Sequence, residues 1–225
     1  MTKDSEKIYK ELRQQIVTMQ LKPKTKLLEE NLAKTYKISR TPIRDVLKKL
    51  EHDGLLEVHP KKGSFVTTID LSEVTDDMYI RSSVEYQVML DLMNSATPGD
   101  IMQLKLMIND QLKMFNVDGN YAKDEFARNY FNLDNEFHAA LYEKVDKLSV
   151  LDIINSTRPG YARYRFLTYL RDEIEIENLF EIHRQLIDCI SSKDEKLLRE
   201  VVIKHNFSGL NGIEKVRLSH PEYFV

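Results

Sequence analysis

Apolar positions along this chain keep two different rhythms, and the change between them divides it. In "EKIYKELRQQIVTMQ", Ile8, Leu12, Ile16 and Met19 recur at helical spacing. Pro23 in "LKPKTKLL" breaks that pattern. A second short helix is expected over "EENLAKTYK", with Leu32, Ala33 and Tyr36 on one side. A third is expected over "SRTPIRDVLKKLEHDG", where Gly54 is placed to stop it. "LLEVH" and "SFVTTI" then alternate as strands, joined by the turn "PKKG". Three short helices followed by a hairpin are the layout of a winged helix-turn-helix.

From about residue 71 the period is helical throughout. Helices are expected near 71–95, 98–116, 121–145, 147–169, 173–192 and 195–217, separated at "TPGD", at "NVDGN" and around Lys147. "STRPG" interrupts or kinks the fourth, because Pro159 removes a backbone donor. The fold class expected is mainly α, an N-terminal winged helix-turn-helix over 1–70 and a C-terminal all-helical bundle over 71–225.

Charge sharpens that division. The chain of 225 residues carries a net charge of −3, yet residues 1–70 hold 15 Lys/Arg against 10 Asp/Glu, and residues 71–225 hold 18 against 26. A basic module ahead of an acidic one points to a polyanion as the partner of the first part alone. No apolar run approaches the roughly 20 residues of a membrane span, and "MTKDSEKIYKEL" lacks the apolar core of a signal peptide. The single cysteine, Cys189, has no internal partner and reads as a buried small hydrophobe. A cytoplasmic protein with no membrane partner is the expectation.

The third helix carries the chemistry of the basic half. A helix N-terminus offers free N–H groups and a positive dipole end to phosphate. Ser39 or Thr41 can cap that end, and Pro42 costs little there. Arg40 and Arg44 lie four apart, on one face, and the arginine fork matches the O6 and N7 acceptors of guanine. Lys61 and Lys62 sit in the hairpin turn, where a wing touches backbone or minor groove. By itself an i,i+4 arginine pair is an ordinary solvated face; the surrounding layout makes it a recognition helix.

The stretch "LLEENLAKTYKISRTPIRDVLKKLEHDGLLEVHPKKGSFV" resembles the winged-helix domain of the GntR family of bacterial transcription regulators, from about Ile8 to Val66. The resemblance implies that Arg40, Thr41 and Arg44 read operator bases, with Ser39 beside them, and that the wing around Gly63 reaches the minor groove. The chain departs from the family pattern at Gln20 and Lys24, where glycines are usual. It departs again at Glu29, Glu30 and Asn31, where some members place a base-contacting arginine.

In the helical half, Asp134 and His138 lie four apart on the stripe Phe126, Tyr130, Phe137, Leu141. His183 interrupts the stripe Leu179, Phe180, Leu186, Ile187, Ile190, and His205 continues Leu198, Val201, Val202. One carboxylate and three imidazoles thus point inward from three helices. Either each is hydrogen-bonded inside the core, or together they hold a divalent ion: zinc first, with nickel, manganese or iron also suited to such ligands. The spacing resembles the FCD ligand-binding domain of the FadR branch of the same family. That likeness implies a metal held by Asp134, His138, His183 and His205.

"MYIRSSVEYQVML" is similar to that domain's "R...E" helix. Arg81 and Glu85 are either a surface ion pair or the place where Arg81 clamps an effector carboxylate, and the resemblance favours the clamp. "RPGYARYRF" adds Arg158, Arg163, Tyr164 and Arg165, either anion contacts or a solvated basic face; Arg163 is taken as effector-binding. Met102, Met107 and Met114 read as core or interface fillers, and His52, His59 and His220 receive no ligand role. The resemblance implies a repressor, a homodimer on a palindromic double-stranded operator, released or tightened by a small organic acid. A metal-dependent enzyme and a purely structural metal are the competing readings. The enzyme reading lacks a base, since Glu136 projects away from the ligand stripe, and a non-enzyme is expected.

Overall fold

A computed structural model describes residues 3–116, 122–157, 159–170, 176–207 and 213–225. Arg158 lies outside them, as do the side chain of Met114 and residues 208–212 of the helix expected over 195–217. The backbone groups into two compact units. One comprises Met1–Thr75, Asn155–Leu167 and Glu214–Val225, the other Asp76–Ile154 and Thr168–Ile213.

The first unit opens with α1 (Lys3–Val17), β1 (Lys26–Leu27), α2 (Glu29–Tyr36), α3 (Arg40–His52), β2 (Leu56–His59) and β3 (Gly63–Val66). The three strands form an antiparallel sheet in the order β1-β3-β2, with Lys26 opposite Phe65 and Leu56 opposite Val66. The apolar stripes of the helices meet this sheet. Ile8, Leu12, Ile16, Ile43, Val46, Leu50, Leu55 and Val66 are all buried together, and Leu32, Ala33 and Tyr36 close the side. Gly54, at φ +72°, makes the left-handed turn that ends α3 and starts the hairpin. Gly63, at φ +114°, turns the chain back at the wing, where a β-carbon would stand 3.1 Å from Lys26 Cε.

Two later segments complete this unit. Arg163, 2% exposed, sits in the part of α8 (Pro159–Tyr169) that belongs here and donates through Nη1 to Thr67 O at 2.7 Å and through Nη2 to Thr68 O at 3.1 Å. Ile69 pairs in parallel with Phe224, beyond α11 (Ile213–Ser219) and a short 3-10 turn, Pro221–Tyr223.

The second unit is helical: most of α4 (Leu71–Ser95) and α7 (Leu148–Thr157), α5 (Pro98–Asn116), α6 (Lys123–Glu143), α9 (Ile176–Ser192), α10 (Glu195–Phe207) and the last residues of α8. The helix expected over 147–169 is two helices, α7 and α8, in keeping with a break at Pro159. Lys105 pairs with Asp188 at 2.6 Å, and Arg184 donates to Asn109 Oδ1 at 3.2 Å, tying α5 to α9 at the surface. Below them lie Leu104, Ile108, Phe137, Leu141, Phe180, Leu186, Leu198 and Val202, all buried. Tyr130 stands edge-on to both Tyr169 and Phe180, with ring centroids 4.8 and 5.4 Å away. No described helix is long and apolar enough to cross a membrane.

Candidate metal centre and nucleic-acid interface

In the winged helix, the residues that pack α3 are Ile43, Val46, Leu47 and Leu50, all buried. Their spacing turns Arg40, Thr41, Arg44 and Lys48 outward, and all four are exposed. Ser39 holds the N-cap position with extended backbone, but its side chain makes no capping hydrogen bond, so the cap expected from it is not formed. Lys61 and Lys62 are exposed at the tip of the wing, with Lys61 in the left-handed region at φ 63° and Lys62 N donating to His59 O at 3.0 Å.

What the arginines touch is visible only in the structure. Arg44 donates from Nε to Glu29 Oε1 and from Nη2 to Glu29 Oε2, each at 3.0 Å, a bidentate pair from α3 to the start of α2. The hydrogen bond from Arg44 holds the Glu29 carboxyl below the usual carboxylate range. Arg40 Nη2 lies 3.4 Å from Glu30 Oε2. Glu29 and Glu30, at the start of α2, thus both engage the arginines of α3. With its Nε edge taken, Arg44 keeps Nη1 and one Nη2 hydrogen for a base.

The second unit brings the inward-pointing ligand candidates together. Asp134 and His138 come from α6, His183 from α9 and His205 from α10. One ligand nitrogen from each of His138, His183 and His205 lies within 4.8 Å of the other two. His205 Nε2 is 3.0 Å from His138 Nε2, and Asp134 Oδ1 is 3.2 Å from His183 Nε2 and 3.9 Å from His138 Nε2. Two nitrogens bound tetrahedrally to one zinc, at its usual bond length, stand about 3.3 Å apart. Asp134, His138 and His183 are 3%, 5% and 1% exposed.

His183 supplies the test of fit. Its ring stacks on Phe137, with centroids 4.2 Å apart, yet neither ring nitrogen makes a hydrogen bond with a described residue. Nε2 and the nearby Asp134 oxygen are both electron-pair donors turned to one place. A buried imidazole in that position is costly unless a cation takes its lone pair. The residues present fit a divalent ion, and the donor set, three imidazoles and a carboxylate, is borderline in softness.

Around these four stand groups that the sequence did not single out as their supports. Glu85 Oε1 is 3.5 Å from His138 Nδ1, on the far side of the ring from the ligand nitrogens, and Asn206 Nδ2 donates to Glu85 Oε2 at 2.8 Å. A carboxylate behind a ligand histidine fixes its tautomer and orientation. Tyr169 donates to Asp134 Oδ2 at 3.5 Å. Glu85 and Arg81 are 3% and 7% exposed, which rules out the reading of them as a surface ion pair. Glu136 is exposed, away from the ligand stripe. Arg163 belongs to the other unit, its fork committed to the carbonyls of Thr67 and Thr68, and burial pushes its pKa down to about 10.

The comparisons with known proteins agree with both halves. A family model described as "Bacterial regulatory proteins, gntR family" matches residues 4–66, and the model of the FCD domain matches residues 77–207. An "Uncharacterized HTH-type transcriptional regulator in unstable DNA locus" from Streptomyces ambofaciens is 30% identical over 97% of this chain and 88% of its own. The HTH-type transcriptional repressor RspR of Escherichia coli (strain K12) is 24% identical over 98% of this chain and 93% of its own. Among solved structures, E. coli McbR/YncC matches in fold with a TM-score of 0.75, at 19% identity, across 98% of this chain and 100% of that one. This chain belongs to the GntR family of bacterial regulatory proteins, with an FCD domain following its winged helix-turn-helix.

Proposed function

We propose that this transcription regulator is a repressor whose hold on its operator is set by a small organic acid bound at a divalent metal in the helical unit. The observation that carries the reading is His183, buried to 1% exposure, with neither ring nitrogen hydrogen-bonded to a described residue, Nε2 3.2 Å from Asp134 Oδ1, and within reach of His138 and His205. Asp134, His138, His183 and His205 would hold the ion, and zinc suits the set best. When bound, the ion supplies a Lewis-acid site for a carboxylate oxygen. Arg81 provides a buried cation for the same carboxylate, and Glu85 with Asn206 keeps His138 oriented. Glu85 lies behind His138 rather than at the ligand nitrogens, so the site orients ligands without offering a base for turnover.

On the DNA side, Arg40, Thr41 and Arg44 read bases from α3, Ser39 lies at the phosphate end, and Lys61, Lys62 and Gly63 form the wing. A homodimer presents two such heads to a palindromic operator, and this work belongs in the cytoplasm, beside the chromosome. The effector acts by favouring one arrangement of the heads over another. Relatives named as regulators and repressors support a reader of DNA rather than an enzyme. The test is fluorescence anisotropy on a duplex selected by the protein from a random library, with a panel of organic acids, in metal-loaded and chelated protein. An acid that shifts the operator Kd about tenfold in the loaded form alone supports the reading. A Kd that no acid moves in either form contradicts it.

A further inference from the structure

One side-chain contact between α2 and α3 is not needed to pack them. The apolar side of α2, Leu32, Ala33 and Tyr36, already lies against the buried cluster that holds Ile43, Val46 and Leu47 of α3. Glu29 stands outside that cluster, as the first residue of α2, and still meets Arg44 through both of its oxygens. Its backbone enters α2 from a paired strand: Leu27, two residues earlier, is buried and lies opposite Ser64 of β3. The carboxylate is thus carried by a fixed element rather than by a loose loop. Glu30 has no such single partner, being divided between Lys34 at 3.2 Å and Arg40 at 3.4 Å.

A guanidinium has two forked edges, one of Nε with Nη2 and one at the tip, of Nη1 with Nη2. Glu29 occupies the first with two bonds of 3.0 Å and leaves the second open. The open edge still presents two parallel N–H groups, the pair that matches O6 and N7 of guanine. An arginine free on a helix surface samples many rotamers, and holding it in one beforehand removes that ordering cost at the moment of binding. The same grip fixes the plane of the fork, on which bidentate recognition depends. A carboxylate facing DNA also repels phosphate, so Glu29 lowers general affinity. Its contribution is discrimination between bases.

We propose that Glu29 is a positioning residue for base reading, holding the Arg44 guanidinium by its Nε edge so that the tip reads one guanine of the operator. This rests on the assignment of Arg44 as a base reader. Glu29 acts through Arg44 and touches no base itself.

The test is a base-preference profile of the full chain. Anisotropy gives the Kd for a duplex selected from a random library, for each single-base-pair substitution of it, and for random-sequence DNA. Wild type, Arg44→Ala, Glu29→Ala, Glu29→Gln and the double variant Glu29→Ala, Arg44→Ala are compared. Arg44→Ala locates the guanine as the position where the preference flattens. In Glu29→Ala the preference at that same position is expected to fall by about fivefold, with the other positions intact and random-sequence DNA bound no more weakly than by wild type. Glu29→Gln keeps one acceptor oxygen and recovers part of the preference. The double variant is no flatter there than Arg44→Ala alone, because the two residues act as one unit. A preference that survives Glu29→Ala at that position, a loss spread over every position, or tighter operator binding with the whole profile preserved overturns positioning by Glu29 while Arg44 stands as the reader. An Arg44→Ala profile with no flattened position overturns the base-reading assignment and this inference with it.

Discussion

Arg44 grips Glu29 with two parallel hydrogen bonds of 3.0 Å, Nε to Oε1 and Nη2 to Oε2, across the gap between α3 and the start of α2. Arg44 is exposed, so the pair is screened by solvent and contributes little to the stability of the unit. Under the proposed function its consequence is for DNA binding, where the fixed fork would present its remaining donors. Arg44→Ala is expected to weaken binding to a selected operator by about tenfold or more, through loss of the guanine contact proposed for it. Its thermal unfolding should match wild type. Anisotropy titrations and a melting curve check both halves of this statement.

The four residues proposed to hold a metal make a different prediction, one about stability. Any ion that binds only the folded chain stabilises it by about 2.7 kcal/mol when present at a hundred times its Kd. Chelation should therefore lower the melting temperature of the wild type. His183→Ala should carry less metal, and chelation should move its melting temperature little. A His183→Ala protein with full metal content would remove His183 from the ligand set.

Two tyrosines give the winged helix an alkaline limit. Burial and the 2.5 Å hydrogen bond to Asp53 Oδ2 push Tyr9 up to about 12, and burial with the 3.0 Å hydrogen bond to Glu11 does the same for Tyr36. Both folded values lie above the ordinary value of 10. The stability they contribute is therefore complete below about pH 10 and lost as pH rises toward 12. Urea denaturation at pH 9 and pH 11.5 should show a fall in wild type. The Tyr9→Phe, Tyr36→Phe double variant should fall less over the same interval.

Arg163 makes a prediction of the largest size. Its two arms are the partners of Thr67 O and Thr68 O, and it is buried with them. Arg163→Ala leaves both carbonyls without that charged donor and should cost about 3 kcal/mol in urea denaturation. Arg163→Lys restores one contact but not the fork, and should recover part of the loss.

These residues also mark what the sequence discloses. Ile8, Leu12 and Ile16, the stripe of α3 and the turn at Gly54 are local signals, each readable within a dozen residues, and they reappear together as one core. Asp134 and His138 were visible as a helical i,i+4 pair, and His183 and His205 as polar intrusions in apolar stripes. Arg163 gave no such signal. An arginine on a helix can face water or a carbonyl, and here the carbonyls lie 95 and 96 residues away along the chain. The same holds for Glu29, whose carboxylate belongs to Arg44 only once α2 and α3 are packed, and for Glu85, whose partner His138 lies on another helix. Ile69 and Phe224, distant along the chain, pair to join the C-terminal segment to the winged helix with no local pattern to announce it.

The most direct measurement is the metal content of freshly purified protein, with a melting curve before and after chelation, for wild type and Asp134→Asn. Near-stoichiometric divalent metal in the wild type, a melting temperature that falls on chelation, and loss of both features in Asp134→Asn are the results expected. Wild-type protein free of metal, unmoved by chelator or by added zinc, would contradict a metal centre at Asp134, His138, His183 and His205.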